Sequence, residues 1–121
     1  MIHHFSGRSI LVAEDDYYLA MDVKAALLAI GVRPLGPAPD PEKALLFIGA
    51  TDIAVIDVEL RDGTNGCTIA DALDHQGTPF IFVTGYADRT PSRHHGRPIC
   101  HKPANEAGVL GALTDALRDR F

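Results

Sequence analysis

The chain has 121 residues, 46% of them hydrophobic and 22% charged, with a formal net charge of −5 at pH 7. This size suits one domain, residues 1–121, with its own buried core, and the acidic balance argues against the basic face that direct nucleic-acid binding requires. Cys67 and Cys100 are too few for a disulfide framework or a zinc site, the N-terminus lacks the apolar stretch of a signal peptide, and no run reaches the about 18 apolar residues of a membrane helix, so a cytoplasmic protein without membrane contact is expected.

In chain order, Ile10, Leu11, Val12 and Ala13 form the first short apolar run. A run without polar alternation reads as a strand buried on both faces of a parallel sheet. Leu19, Val23, Leu27 and Ile30 then repeat at helical spacing, and Gly31 stops that helix. A second strand over residues 32–36 contains Pro34 and precedes Pro37. Proline donates no hydrogen bond to a ladder, which sends this strand to an edge. Asp40 is an N-cap with Pro41 at the first helical position, opening a short helix through Leu45 and Ile48.

Residues 53–56 repeat the buried-strand pattern, and Ile69 and Leu73 anchor a helix that ends near Gly77. Residues 80–83, Phe80 to Val83, make the fourth strand, and the weaker run 98–101 makes the fifth. Between them, residues 86–97 hold Pro91, Gly96 and few apolar side chains, so a fourth helix there is expected to be weak or mobile. Asn105 caps a last helix carrying Val109, Leu113, Ala116 and Leu117. Alternating strands and helices imply right-handed crossovers and a doubly wound α/β fold with a five-stranded parallel sheet. The common flavodoxin-like order 2-1-3-4-5 places the proline-bearing strand at an edge.

The residues that follow each strand are the ones able to do chemistry. The first strand runs into Glu14, Asp15 and Asp16, the third ends in Asp57, the fourth in Thr84 and Gly85, and the fifth in Lys102 and Pro103. Ligands bind open α/β sheets outside the carboxyl ends of the strands. Three carboxylates brought that close repel by several kcal/mol unless one protonates or a cation intervenes. An all-oxygen set suits Mg²⁺ or Mn²⁺ rather than zinc, and Lys102 balances the remaining charge. Taken singly these residues have plainer roles: an acidic run before a helix caps it, a strand-end Asp forms a turn, and a Lys-Pro pair lies in a surface loop.

Residues 10–16, 55–60, 82–86 and 101–103 together resemble response-regulator receiver domains (CheY-like), over essentially the full chain. Residues 79–86 further resemble a stand-alone subgroup with a Phe-Ala-Thr-Gly motif, Val83 standing where the motif has Ala. The resemblance implies that Asp57 is the phosphoacceptor in a metal-dependent reaction. Asp15 and Asp57 would hold the metal, Glu14 would help through water, and the Glu59 backbone carbonyl would complete the protein ligands. Thr84 and Lys102 would bind the phosphoryl oxygens, and the Lys102–Pro103 peptide would be cis. The implied partners are a sensor histidine kinase or histidine phosphotransfer protein and a downstream protein whose identity the sequence does not carry. With no output domain after Phe121, the effect is expected to pass through that second protein, or the domain acts as a phosphate sink.

Four departures from the family pattern bear on signalling. Ile99 stands where many receivers carry a Tyr or Phe switch, Arg61 replaces a common proline, Gly66 lies one place late, and Ala104 replaces a frequent Phe. Without an aromatic at Ile99, phosphorylation is expected to be reported by ordering of residues 86–97, with Gly85 and Tyr86 as local contributors. His94 and His95, with Arg93, Arg97 and His101, are read as exposed or pocket-edge histidines, with partner docking, or a metal site shared with His3 and His4, as lesser readings. Two further functions stay open. A Mg²⁺-dependent aspartyl phosphohydrolase generally carries a second Asp where this chain has Glu59. A phosphorylation-independent binding module would have no need of Asp57, Asp15, Thr84 and Lys102 together.

Overall fold

The apolar runs and the proline-bearing segment become the strands of one parallel sheet in a computed structural model that describes residues 5–60 and 66–118. The strands are β1 (Ser9–Ala13), β2 (Arg33–Ala38), β3 (Ile53–Asp57), β4 (Phe80–Thr84) and β5 (Ile99–His101), in the order β2-β1-β3-β4-β5. The helices are α1 (Tyr17–Ala29), α2 (Pro41–Leu45), α3 (Cys67–Gln76) and α4 (Glu106–Arg118). Among the described residues no helix is long and apolar enough to cross a membrane.

Successive residues of each central strand feed opposite cores, as the two-residue strand period requires. Ile10, Val12, Ile53, Val55, Ile81 and Val83 pack with α1 and α4, while Leu11, Ala13, Ala54, Ile56, Phe80 and Phe82 pack with α2 and α3. Burying each large side chain contributes about 1.5–3 kcal/mol relative to leaving it exposed. The expected α1 stripe holds at Val23, Leu27 and Ile30, and Leu19 is half-buried. Gly31 (φ +82°) follows the helix as anticipated.

The edge strand carries a local shift. Its register against β1 breaks between Leu11 and Ala13. At Gly36 (φ +93°) a Cβ would lie 2.7 Å from Ala38 N and 3.0 Å from Val12 O, so only glycine fits this left-handed, crowded position. The caps at Asp40 and Asn105 form as expected: Lys43 N–H donates to Asp40 Oδ1 at 2.9 Å, and Gly108 N–H donates to Asn105 Oδ1 at 2.8 Å.

Two expectations shift in detail. The second helix stops at Leu45, and Ile48 instead opens a 3₁₀ turn (Ile48–Ala50). Leu46 N–H and Phe47 N–H reach back three residues, to Lys43 O and Ala44 O, which tightens the helix end. The poor helix between β4 and β5 is reduced to two 3₁₀ turns, Ala87–Arg89 and Ser92–His94. Pro91 lies between them and has no N–H to continue a helix.

Candidate functional site

Parallel strands in this order bring their carboxyl ends to one edge, and the register Ala13↔Ile56, Asp57↔Val83 and Thr84↔His101 fixes how those ends align. Glu14 leaves β1, Asp57 and Thr84 are the last residues of β3 and β4, and Lys102 leaves β5. All four therefore meet at the same rim. Glu14, Asp15 and Asp57 each offer a carboxylate oxygen, and these oxygens lie within 4.8 Å of one another. Asp57 is 1% exposed and Glu14 4%. A cluster of hard oxygen donors this close fits a divalent cation of the Mg²⁺ or Mn²⁺ type.

Lys102 is the counter-charge. Its Nζ lies 3.2 Å from Asp57 Oδ1, 3.6 Å from Glu59 Oε2 and 3.9 Å from Glu14 Oε1. Burial on its own would lower the Lys102 pKa, but the charges of Asp57 and Glu14 outweigh it and hold the ammonium above its ordinary value. Glu14 moves the other way. Burial, reinforced by its hydrogen-bonded neighbour Asp57, pushes its carboxyl up to about 9. The Lys102–Pro103 peptide is cis, as the resemblance implied.

The acidic run divides its labour. Asp16 is the N-cap of α1, accepting from Tyr18 N–H at 2.9 Å and Leu19 N–H at 3.1 Å, which is the ordinary role of an acid before a helix. Glu14 instead turns toward Asp57, and its Oε2 accepts from Asp16 N–H at 3.2 Å. On β3, Asp57 Oδ1 accepts from Glu59 N–H at 3.0 Å.

The Glu59 side chain goes where sequence reasoning did not place it. Its Oε1 accepts from the Thr84 hydroxyl at 3.1 Å, so Glu59 touches both Thr84 and Lys102. Thr84 is fully buried, and its Oγ1 also accepts from Tyr86 N–H at 2.9 Å. Tyr86 is 56% exposed, with the Arg89 guanidinium over its ring at 4.3 Å. Gly85 is exposed, and Ile99 is half-buried against the α2/α3 core.

No protein-family model matches the sequence. The solution structure of SdrG from Sphingomonas melonis Fr1 superposes with a TM-score of 0.81 at 32% identity, over 92% of this chain and 97% of that one. The BeF3-activated conformation of SdrG from Pseudomonas melonis Fr1 gives 0.77 at 35% identity, over 93% and 97%. The chain belongs to the response-regulator receiver domains of two-component signalling. A CheY-like receiver domain protein from Methanospirillum hungatei JF-1 shares the flavodoxin-like fold, with a TM-score of 0.73 at 21% identity over 95% of this chain and 97% of that one. The phyllosphere-induced regulator PhyR of Methylorubrum extorquens is 28% identical over 114 residues, which are 89% of this chain and 43% of PhyR. The receiver thus spans less than half the length of that curated relative.

One reading of the receiver's histidines is corrected. His94 is not exposed or at a pocket edge: it is 4% exposed, its ring edge-on to Phe80 at 5.6 Å and Phe82 at 6.3 Å. Its Nε2 is 2.8 Å from Asp71 Oδ1 and its Nδ1 is 3.4 Å from Asp74 Oδ2. Arg93 and Arg97 close on the same two carboxylates. Asp71 and Asp74 sit three apart on α3, on one helix face, and so clasp the β4–β5 connection to that helix. His95 and His101 are exposed. Arg61 and the pair His3 and His4 lie outside the described residues.

Proposed function

We propose that this receiver accepts a phosphoryl group on Asp57 from the phosphohistidine of a sensor histidine kinase or a histidine phosphotransfer protein. The observation that carries this reading is the placing of one buried carboxylate, Asp57, between two further acids and a lysine: Glu14 and Asp15 oxygens within 4.8 Å, and Lys102 Nζ at 3.2 Å. The BeF3-activated conformation of SdrG supports it, because beryllofluoride is a chemical analogue of a phosphoryl group.

In the transfer, a carboxylate oxygen of Asp57 forms the new O–P bond as the donor's P–N bond breaks. The electron pair leaves with the imidazole nitrogen, and solvent balances its proton. The developing negative charge falls on the phosphoryl oxygens, toward which Lys102 and Thr84 are the available donors. Asp15 and Asp57, with Glu14 through water and the Glu59 backbone carbonyl, would hold a Mg²⁺ (or Mn²⁺) ion, which when bound offsets the charge of the carboxylates and the phosphoryl group. The signal then leaves through Thr84 and Tyr86 to a downstream protein, or the domain serves as a phosphate sink. Neither nucleic acid nor membrane has a place in this reading.

The test is direct. Purified protein is incubated with Mg²⁺ and phosphoramidate or acetyl phosphate, and its intact mass is measured. One added phosphoryl group is expected, lost in Asp57→Asn and in the presence of a chelator. A folded protein that gains no mass overturns the proposal, and multiple turnover of assorted phosphate esters would favour a phosphohydrolase.

A further inference from the structure

His94 is buried with a carboxylate at each of its ring nitrogens. Nε2 lies 2.8 Å from Asp71 Oδ1, and Nδ1 lies 3.4 Å from Asp74 Oδ2. A neutral imidazole carries one N–H and one lone pair, whereas an imidazolium carries two N–H groups. The contact to Asp71 is a full hydrogen bond, but among the described residues Nδ1 has no hydrogen-bond partner. Phe80 and Phe82 wall the ring from β4 and bring only apolar side chains to it. In its neutral form the ring therefore turns one lone pair toward a carboxylate oxygen, two acceptors with no proton between them.

We propose that the Asp71–His94–Asp74 clasp is a proton-operated latch that sets how firmly the β4–β5 connection is held to α3. With a proton on both nitrogens the ring donates to both carboxylates, and the two hydrogen bonds are charge-assisted. When the ring gives a proton to solvent, only one carboxylate keeps its hydrogen bond. The latch thus closes in acid and slackens as pH rises across the about 5–8 range in which imidazoles titrate. It belongs to the resting protein and does not depend on Asp57 being the phosphoacceptor.

The charged groups around the ring come from two elements. On its own segment Arg93 pairs with Asp71 and Arg97 with Asp74, and the exposed His95 follows in the chain. On α3 stand Asp71 and Asp74, with exposed His75 next to Asp74 and Cys67 one turn earlier, near Arg93. The arginines stay charged throughout, and Asp71, held down at about 2, stays ionised. They keep the segment close to α3 when the ring is neutral, so the latch slackens without opening. Acid stiffens residues 86–97, and neutral pH frees them to move against α3.

The experiment follows wild type and Asp74→Asn by NMR from about pH 5.5 to 7.5. Two quantities are read: the ring nitrogen resonances of His94, and the amide protection factors of residues 86–97 relative to α4. Protection factors divide out the intrinsic pH dependence of exchange. Asp74 is exposed, and an Asn in its place offers an oxygen to a protonated Nδ1 and an N–H to a bare one. In wild type the relative protection of residues 86–97 should fall roughly three- to tenfold as the His94 ring loses its proton. In Asp74→Asn the fall should stay below about twofold, because either state of the ring finds a partner. His75, His95 and His101 are exposed and titrate in both proteins, so an equal fall in the variant would assign the effect to them and overturn the latch. Wild-type protection that stays flat while the ring titrates, or a ring that holds one state throughout, would overturn it as well.

Discussion

His94 Nε2 lies 2.8 Å from Asp71 Oδ1, and this contact joins the β4–β5 connection to α3. Asp71 also takes Arg93, through Nε at 3.0 Å and Nη2 at 2.5 Å. The Arg93 hydrogen bonds first, and His94 second, hold the Asp71 carboxyl down at about 2, against an ordinary 3.8. A carboxyl depressed in the folded state contributes stability above its unfolded pKa and loses it as pH falls through the folded one. Asp71→Asn should therefore lower unfolding free energy at pH 7 by a few tenths to about 1 kcal/mol, small because Asp71 faces solvent. The gap between variant and wild type should narrow as pH falls from 3.8 toward 2, and urea titrations across that range check it.

The imidazole of His94 fills space as well as making polar contacts. It packs against Phe80 and Phe82, while Arg97 lies over the Phe80 ring at 4.6 Å. Truncation leaves a void beneath the loop and two carboxylates without their shared partner. His94→Ala should cost about 2–3 kcal/mol, read as a lower melting temperature. Amide exchange should accelerate across residues 86–97 more than on α4, because the clasp anchors that segment. Equal acceleration on α4 would mean that His94 supports the whole core instead.

The strands were legible in the sequence because burial on both faces leaves continuous runs such as Phe80 to Val83. The caps at Asp40 and Asn105 were legible because a cap and its partners lie within one turn. Asp57, Asp15, Thr84 and Lys102 could be singled out because each closes or follows such a run. The Glu59 carboxylate was not, because Glu59 lies in the turn just past β3, where the two-residue strand period no longer fixes a side chain's direction. Its engagement depends on how far β4 and β5 stand from β3, and no local signal reports that. His94 was misread for a related reason. Pro91 and the sparse apolar content around it imply exposure, while the partners that bury it sit on α3 and β4.

Gly66 and Gly77 bracket α3 with nearly equal left-handed φ, +74° and +76°, but in different surroundings. A Cβ on Gly66 would lie 2.6 Å from Ile56 Cγ2, a β-branched atom in the core strand beside Asp57 that has little freedom to yield. Among the described residues nothing lies within 4 Å of a Cβ on Gly77. Gly77→Ala should cost about 1 kcal/mol from backbone conformation alone. Gly66→Ala adds overpacking, for about 2–4 kcal/mol in total. Chemical denaturation of the two variants side by side checks the difference.

The two thiols should separate by reactivity. Cys100 is 3% exposed and its thiol is pushed up by burial, which withholds the nucleophilic thiolate. Cys67 is half-buried at the first turn of α3. A colourimetric disulfide reagent at pH 8 should titrate roughly one thiol promptly, and the second only at the rate of unfolding. Prompt reaction of both would show that the α1/α4 core opens around Cys100.

Lys102 faces Asp57, Glu59 and Glu14, so removing it leaves three acids without that counter-charge. Asp57 is almost wholly buried, where an unpaired charge is costly, whereas Glu14, its carboxyl pushed up to about 9, is neutral at pH 7. Lys102→Gln, of similar length and neutral, should destabilise the metal-free protein by about 1–3 kcal/mol at pH 7. Glu59 is the most exposed of the three carboxylates, so its share of the interaction is the smallest in screening terms. Adding Glu59→Gln to Lys102→Gln should therefore recover only part of the loss. The coupling from the double-mutant cycle should be about 0.5–1 kcal/mol. A coupling near zero would mean that Glu59 is held by the Thr84 hydroxyl alone, with Lys102 committed to Asp57.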